Sequence, residues 1–327
     1  MRAFVVSRPA ELRRIERDVP EPGPGQVLVR ISCCGVCRTD LHLLDGDLPP
    51  RHVEITPGHE VVGRVDARGP AAERFAVGAR VGVAWLGGTD GSCRFCRRGA
   101  ENLCVAPTFT GWDRNGGYAD FCLAEEAYAY PLPEAIGDEQ AAPLLCAGII
   151  GYRALVCAAV PAGGSLGIYG FGGSAHLTAQ LAVAQGLRVH VLTRGAGNRR
   201  LALELGAASA GPADEMPPEP LDGAILFAPV GELVPLALRA LDRGGTLAVA
   251  GIWLSEIPAL DYEEALFQER NLRSVTANTR ADGETFLRLA ERLGVRATTV
   301  AYPMAEAPQA LADLRAGRFS GAAVLVN

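Results

Sequence analysis

The 327-residue chain contains no lysine; all 31 of its basic residues are arginine. That absence excludes Schiff-base catalysis and any lysine general base. The chain also lacks an excess of positive charge. Its formal net charge is −6 and its pI near 5.5, which excludes the basic face a nucleic-acid partner requires. No export leader is legible, because the opening Met1-Arg2-Ala3-Phe4-Val5-Val6-Ser7-Arg8-Pro9 carries too short an apolar run. A cytoplasmic location is therefore expected, and there nine cysteines read as metal ligands rather than disulfides. A clean membrane span is missing too. The longest apolar run, Ala141 to Val160, is interrupted by Gly148, Gly151, Tyr152 and Arg153, which predicts a buried helix and no membrane partner.

What is present has the length for two domains, each able to bury its own core. Up to about residue 145, short β-type runs at Val27–Ile31, Glu60–Val65, Arg80–Trp85 and Tyr118–Leu123 are separated by Gly and Pro. They predict a compact, barrel-like β region. The period then changes. Strand-like Leu166–Tyr169, Arg188–Leu192, Ala224–Phe227 and Thr246–Ala250 alternate with helical stretches at Ser174–Gln185, Arg199–Leu205 and Val234–Leu241, the pattern of a parallel α/β sheet. A further helix is expected over Gly283–Leu293 and a strand over Ala322–Val326. The segment Gly211–Pro220 reads as a surface loop.

Chemistry concentrates in Cys37-Arg38-Thr39-Asp40-Leu41-His42 and Gly58-His59-Glu60. A thiolate and an imidazole suit zinc, carboxylates can orient the imidazole, and a hydroxyl with a second imidazole can carry a proton away. Cys146, at the junction with the α/β region, supplies a third protein ligand and leaves one position for water or substrate. A second cluster, Asp90-x₂-Cys93-x₂-Cys96-x₇-Cys104, has the spacing of a closed structural zinc site with Asp90 as fourth ligand; the competing reading is a weakened or empty site. Cys33, Cys34, Cys122 and Cys157 read as inert core thiols.

Gly170-Phe171-Gly172-Gly173-Ser174-Ala175 follows a strand and opens a helix, the context in which glycine turns receive a dinucleotide pyrophosphate. The next strand ends in Thr193-Arg194, with no carboxylate for a ribose 2′-hydroxyl. An arginine there can pair with a 2′-phosphate, so NADP(H) is favoured over NAD(H); the plainer alternative leaves Arg194 stacked on adenine or facing solvent.

Together these motifs, with Gly116-Gly117-Tyr118-Ala119, resemble the zinc-dependent alcohol dehydrogenases of the medium-chain dehydrogenase/reductase superfamily, over nearly the whole chain. The resemblance implies a mixed α/β fold. A GroES-like β-barrel catalytic domain over residues 1–147 would hold both zinc sites. A Rossmann doubly wound parallel-sheet coenzyme domain would span 148–260, and residues 261–327 would return to the catalytic domain. Cys37, His59 and Cys146 match the catalytic zinc ligands, Glu60 the acid beside the metal, and Asp40 the partner of the ligand histidine. Thr39 matches the hydroxyl that bonds the substrate oxygen, and His42 the outer end of a proton relay through the cofactor ribose. Arg38 matches a pyrophosphate contact; Trp85 and Leu48 match pocket positions. The implied activity interconverts alcohols with aldehydes or ketones by hydride transfer to or from NAD(P), in a homodimer or homotetramer. An NADPH-dependent reductase of a biosynthetic aldehyde or activated double bond is an alternative, as is a non-catalytic nucleotide-binding relative.

Overall fold

The structure is a computed structural model that describes residues 1–49 and 51–327. Its packing divides into two compact units. One comprises Met1–Cys146, Ala277–Glu291 and Arg296–Asn327; the other comprises Ala147–Thr276 and Arg292–Val295.

The first unit is organised by the strand Gln26–Val36, whose Val, Leu, Ile and Cys side chains are almost all buried. Such β-branched and apolar residues pack well on both faces of a covered sheet. Along one edge this strand pairs antiparallel with Val61–Arg68. Its other partners divide its length: Gln26–Arg30 pairs with Phe121–Glu125, and Cys33–Val36 with Ala323–Val326 near the C-terminus. Bulges at Leu28/Val29 and Ile31/Cys33 interrupt the ladder, and such insertions bend a sheet. Arg80–Val83, Ala129–Pro131 and Thr299–Pro303 complete seven strands. The C-terminal strand therefore lies in the core of the first unit, packed with Ala307, Ala310 and Leu311 of the helix Ala307–Ala316.

Two expected strands are cut differently. Arg80–Trp85 ends at Val83, and the chain re-enters a separate two-stranded sheet at Leu86–Gly88, paired with Thr108–Phe109. Tyr118–Leu123 becomes a strand only at Phe121. The Tyr118 N–H donates instead to Pro57 O at 3.0 Å, and Tyr118 O accepts from Phe4 N at 2.8 Å, so the residue stitches loops rather than extending a ladder.

The second unit holds a six-stranded, all-parallel sheet. From edge to edge its strands are Ser209–Gly211, Arg188–Leu192, Ser165–Tyr169, Leu221–Leu226, Leu241–Val249 and Asn271–Ser274. Numbered by position in this unit, that order is 3-2-1-4-5-6, the doubly wound order whose switch point lies beside the first strand. The last strand places residues up to 276 with this unit, beyond the boundary of 260 that the motifs suggest. The helix expected at Arg199–Leu205 spans Ala196–Glu204.

Asp138–Ala158 is apolar and long enough to cross a membrane, but 67% of its most apolar window is buried inside the protein. It is not one uniform helix. Asp138–Pro143 and Ile149–Ala158 are α-helical, and Leu144–Gly148 between them is a π-helical turn. Such turns are rare and concentrate at functional positions; this one carries Cys146.

Candidate functional site

Cys37 follows the long strand directly and caps the helix Arg38–Asp45. Its N–H donates to Asp40 Oδ2 at 2.9 Å, which ties the acid of the first turn to the cap. The buried Asp40 accepts twice more, from Gly58 N at 3.1 Å and from the hydroxyl of fully buried Tyr118 at 3.1 Å. Its Oδ1 also lies 3.6 Å from His59 Nδ1. Three donors and an imidazole thus satisfy a carboxylate that burial would otherwise penalise. Gly58 has φ +95°, and a Cβ there would meet the Tyr118 ring at 2.5 Å and Cys34 Sγ at 2.8 Å. Only glycine permits the turn that delivers His59 and Glu60. Gly35 is equally constrained, since a Cβ there would fall 1.8 Å from Glu60 Oε2.

Donor atoms of Cys37, His59, Glu60 and Cys146 all lie within 4.8 Å of one another. The two sulfurs are 3.9 Å apart. Tetrahedral zinc with Zn–S bonds near 2.3 Å holds two sulfurs about 3.8 Å apart, so the spacing fits that ion. Proton affinities follow from the crowding. The hydrogen bond with Cys146 pulls the Cys37 thiol well below its ordinary value, and the same bond pushes Cys146 well above. Burial, followed by the charge of Cys37, raises Glu60. Burial works against protonation of His59, but bonds to Asp40 and Cys37 outweigh it and raise the imidazole. The cluster therefore shares protons until a cation displaces them, and metal binding must release protons.

Thr39 Oγ1 lies 3.7 Å from Cys37 Sγ. His42, three residues on and so on the same helix face, pairs through Nδ1 with Asp47 Oδ2 at 2.8 Å and is 24% exposed. Arg38 on that helix is exposed, and half-buried Leu48 donates its N–H to His42 O at 3.1 Å. Trp85 meets the His59 ring edge-on at 5.0 Å.

The second cluster is assembled within one loop. Donor atoms of Asp90, Cys93, Cys96 and Cys104 lie within 4.8 Å of one another. Cys93 Sγ is 3.6 Å from Cys96 Sγ and 4.0 Å from Cys104 Sγ, again bracketing the tetrahedral spacing. Asp90 Oδ1 accepts from the N–H of Cys93 and of Ser92, both at 2.8 Å, and these bonds lower its carboxyl to about 2. It is an anionic donor at neutral pH. The loop has only two short 3₁₀ turns, Cys96–Arg98 and Glu101–Leu103. It is fastened outside by Glu101, which accepts from Arg280 Nε at 2.9 Å. Burial pushes the unused thiols of Cys33 and Cys122 up to about 12, and Cys34 and Cys157 are also buried.

In the second unit, Gly170 (φ +85°) turns the chain after its strand, and a Cβ there would meet Ala228 N at 2.8 Å. Gly172 caps the helix Gly173–Ala184, and a Cβ at Gly172 or Gly173 would meet nothing within 4 Å. Open space above these glycines and a helix N-terminus at half-buried Ser174 make an anion cradle. Thr193 is buried and Arg194 exposed. Arg199 donates to the carbonyls of both, at 2.9 Å each.

Sequence reasoning missed the Tyr118 hydroxyl on Asp40 and the rings of Phe109 and Trp112, which stack beside Trp85 at 4.9 and 6.1 Å. Gly116-Gly117-Tyr118 signalled the first; nothing local marked the others.

Two family models match, the alcohol dehydrogenase GroES-like domain over residues 23–134 and zinc-binding dehydrogenase over residues 173–292. A curated relative, "Probable alcohol dehydrogenase AdhA" of Mycobacterium tuberculosis, is 56% identical, covering 100% of this chain and 97% of its own. Among solved structures, a cinnamyl alcohol dehydrogenase of Sorghum bicolor superposes with TM-score 0.89 at 28% identity, covering 99% of this chain and 97% of that one. An alcohol dehydrogenase of Aeropyrum pernix superposes with TM-score 0.87 at 27% identity, covering 100% of each chain. The two-unit architecture, the matched domains and identity across the full chain place it in one family: the chain belongs to the zinc-binding alcohol dehydrogenases of the medium-chain dehydrogenase/reductase superfamily.

Proposed function

We propose that this protein interconverts alcohols with aldehydes or ketones at a zinc held by Cys37, His59 and Cys146, with Glu60 beside it and NAD(P) as hydride carrier. The observation that carries the reading is the four-donor cluster, with His59 and Glu60 buried and both thiols half-buried, whose sulfur separation of 3.9 Å suits tetrahedral zinc. Zinc, when bound, supplies a Lewis acid that eases deprotonation of a substrate hydroxyl and, in the reverse direction, polarises a carbonyl.

The chain's own residues do the rest. Asp40 orients His59 and is itself held by Tyr118 and two backbone donors. Thr39 offers a hydroxyl to the substrate oxygen, and His42, one helical turn on, takes up the proton at the solvent edge. Gly170, Gly172, Gly173 and Ser174 receive the cofactor pyrophosphate, with Arg38 as a further phosphate contact. Leu48 and Trp85 border the substrate. Asp90, Cys93, Cys96 and Cys104 hold a second zinc that braces their loop.

NADP(H) is the preferred cofactor on this reading. Residues 193–200 contain no carboxylate, and the Arg194 guanidinium has no partner among the described residues. The test is an alcohol and aldehyde panel run with both cofactors, before and after removal of metal by a chelator. Metal-dependent turnover supports the reading, and full turnover by metal-free protein refutes it. Arg194→Ala should weaken NADPH far more than NADH; equal effects would reverse the cofactor assignment.

A further inference from the structure

The turn that delivers His59 and Glu60 is matched bond for bond by the segment 115–118. Thr56 N donates to Asn115 Oδ1 at 3.0 Å, and Gly116 N donates back to Thr56 O at 2.7 Å. Tyr118 N donates to Pro57 O at 3.0 Å, and Gly117 N to Gly58 O at 2.9 Å. Arg17 Nη2 adds a bond to the Thr56 hydroxyl at 2.9 Å. Thr56 is fully buried, whereas Asn115 is exposed.

This match restricts what can stand at 115 and 116. A Cβ on Gly116 would fall 2.0 Å from Gly58 O, so only glycine fits. The buried Thr56 N–H needs an acceptor, which the Asn115 amide oxygen supplies. The outcome is the one Asn-Gly pair in the sequence. Such a pair is chemically labile. With no side chain on the glycine to hinder it, the Gly116 nitrogen can attack Asn115 Cγ. A new C–N bond closes a cyclic imide, the side-chain amide C–N bond breaks, and the Gly116 proton leaves with ammonia. Water then opens the imide to aspartate, or to isoaspartate with its longer backbone.

We infer that Asn115 is a self-modification site gated by the ligand turn, so that its deamidation records loss of metal from the His59 cluster. The inference rests on the reading of Cys37, His59 and Cys146 as metal ligands. In the closed turn both reactants are committed. The Gly116 N–H is bonded to Thr56 O, and the Asn115 amide oxygen is pinned by Thr56 N. Attack therefore requires the turn to open locally. A metal held by His59 tethers the far end of the turn and depletes the open population by mass action. Isoaspartate lengthens the chain between residues 115 and 116, where the bonds to Thr56, Pro57 and Gly58 demand strict register. Once it forms, His59 loses the support that places it.

The experiment incubates the folded protein in mildly alkaline buffer, with free zinc or with chelator, and follows residue 115 by peptide mapping. Free zinc at about ten times the Kd of the cluster should slow the modification about tenfold. Cys146→Ser should abolish that protection, and Asp90→Ala, which touches only the loop cluster, should keep it. The isoaspartate form, separated by ion exchange, should bind zinc at the His59 cluster at least about tenfold more weakly in chelator competition. Asn115→Asp keeps both the acceptor and the backbone length, so its affinity should stay within about twofold of wild type. Equal rates with and without zinc, protection that survives Cys146→Ser, or an isoaspartate form that binds as tightly as Asn115→Asp overturns the inference and leaves the oxidoreductase reading intact. Failure of the His59 cluster to bind zinc at all refutes that reading and this inference with it.

Discussion

The two cysteine clusters have nearly the same sulfur spacing and different surroundings. In the more buried one, Cys37, His59, Glu60 and Cys146 come from the residue after a strand, a glycine turn and a π-helical turn, with 108 residues between the two cysteines. The other is gathered from a single loop, with Asp90 exposed, Cys93 and Cys96 half-buried and Cys104 buried. A dense core already fixes the first set, so its proton affinities can be driven far from ordinary values and its ligands kept reactive. The second has little apolar burial to hold it, so a metal bound there would supply order rather than chemistry. Ligand identity alone does not distinguish a reaction centre from a clamp; burial and neighbours do.

That contrast can be broken in order of effect. Cys146→Ser should lower turnover by about a thousandfold or more and remove one metal per chain, with circular dichroism unchanged, because the lost transition-state stabilisation amounts to several kcal/mol. Turnover within tenfold of wild type would exclude the buried cluster as the centre. Asp90→Ala should do the converse. It should lower Tm by about 5 °C and release the loop's metal while kcat of the folded protein holds. Unchanged metal content and Tm would show that Asp90 is no ligand.

Tyr118→Phe tests whether support one shell out matters to the buried set. Losing its hydroxyl from Asp40 should weaken metal affinity about tenfold, as measured by chelator competition; an unchanged affinity would reduce Tyr118 to packing. The smallest effect is expected at the loop's external tie. Burial opposes ionisation of Glu101, but the Arg280 side chain and N–H outweigh it and hold the carboxyl below its ordinary value. A depressed carboxyl stabilises the fold above the unfolded value near 4.3 and loses that contribution as pH falls through the folded one. Arg280→Gln should therefore cost about 1 kcal/mol at pH 7, at the low end because Arg280 is 44% exposed, and progressively less below about pH 4. A difference that is flat with pH would remove the ion pair as its cause.

Much of this was readable in one dimension. Thr39 and His42 stand three residues apart in the helix that Cys37 caps, so their placement on one face follows from spacing. The alternation from Leu166 onward required a parallel sheet, and the glycines at 170–173 sit where a strand must turn into a helix. What escaped was contact between distant segments. Tyr118 reaches Asp40 across 78 residues, and Phe109 and Trp112 close on Trp85 from a separate loop. No periodicity records such meetings. The break of Arg80–Trp85 at Val83 has the same origin, since the backbone after it pairs with a different sheet.

By itself, then, the sequence determined the donor types, the short-range geometry of the first helix and the second loop, and the βαβ order of the nucleotide unit. These depend on neighbours within a few residues, where backbone period and capping decide. The tertiary structure alone decided that Cys146 stands 3.9 Å from Cys37, and that Asp40 is shared by two backbone amides, Tyr118 and His59. It also decided that the rings of Trp85, Phe109 and Trp112 lie nearly parallel. Those outcomes are set by how a close-packed core brings remote side chains together, and packing is a property of the whole fold.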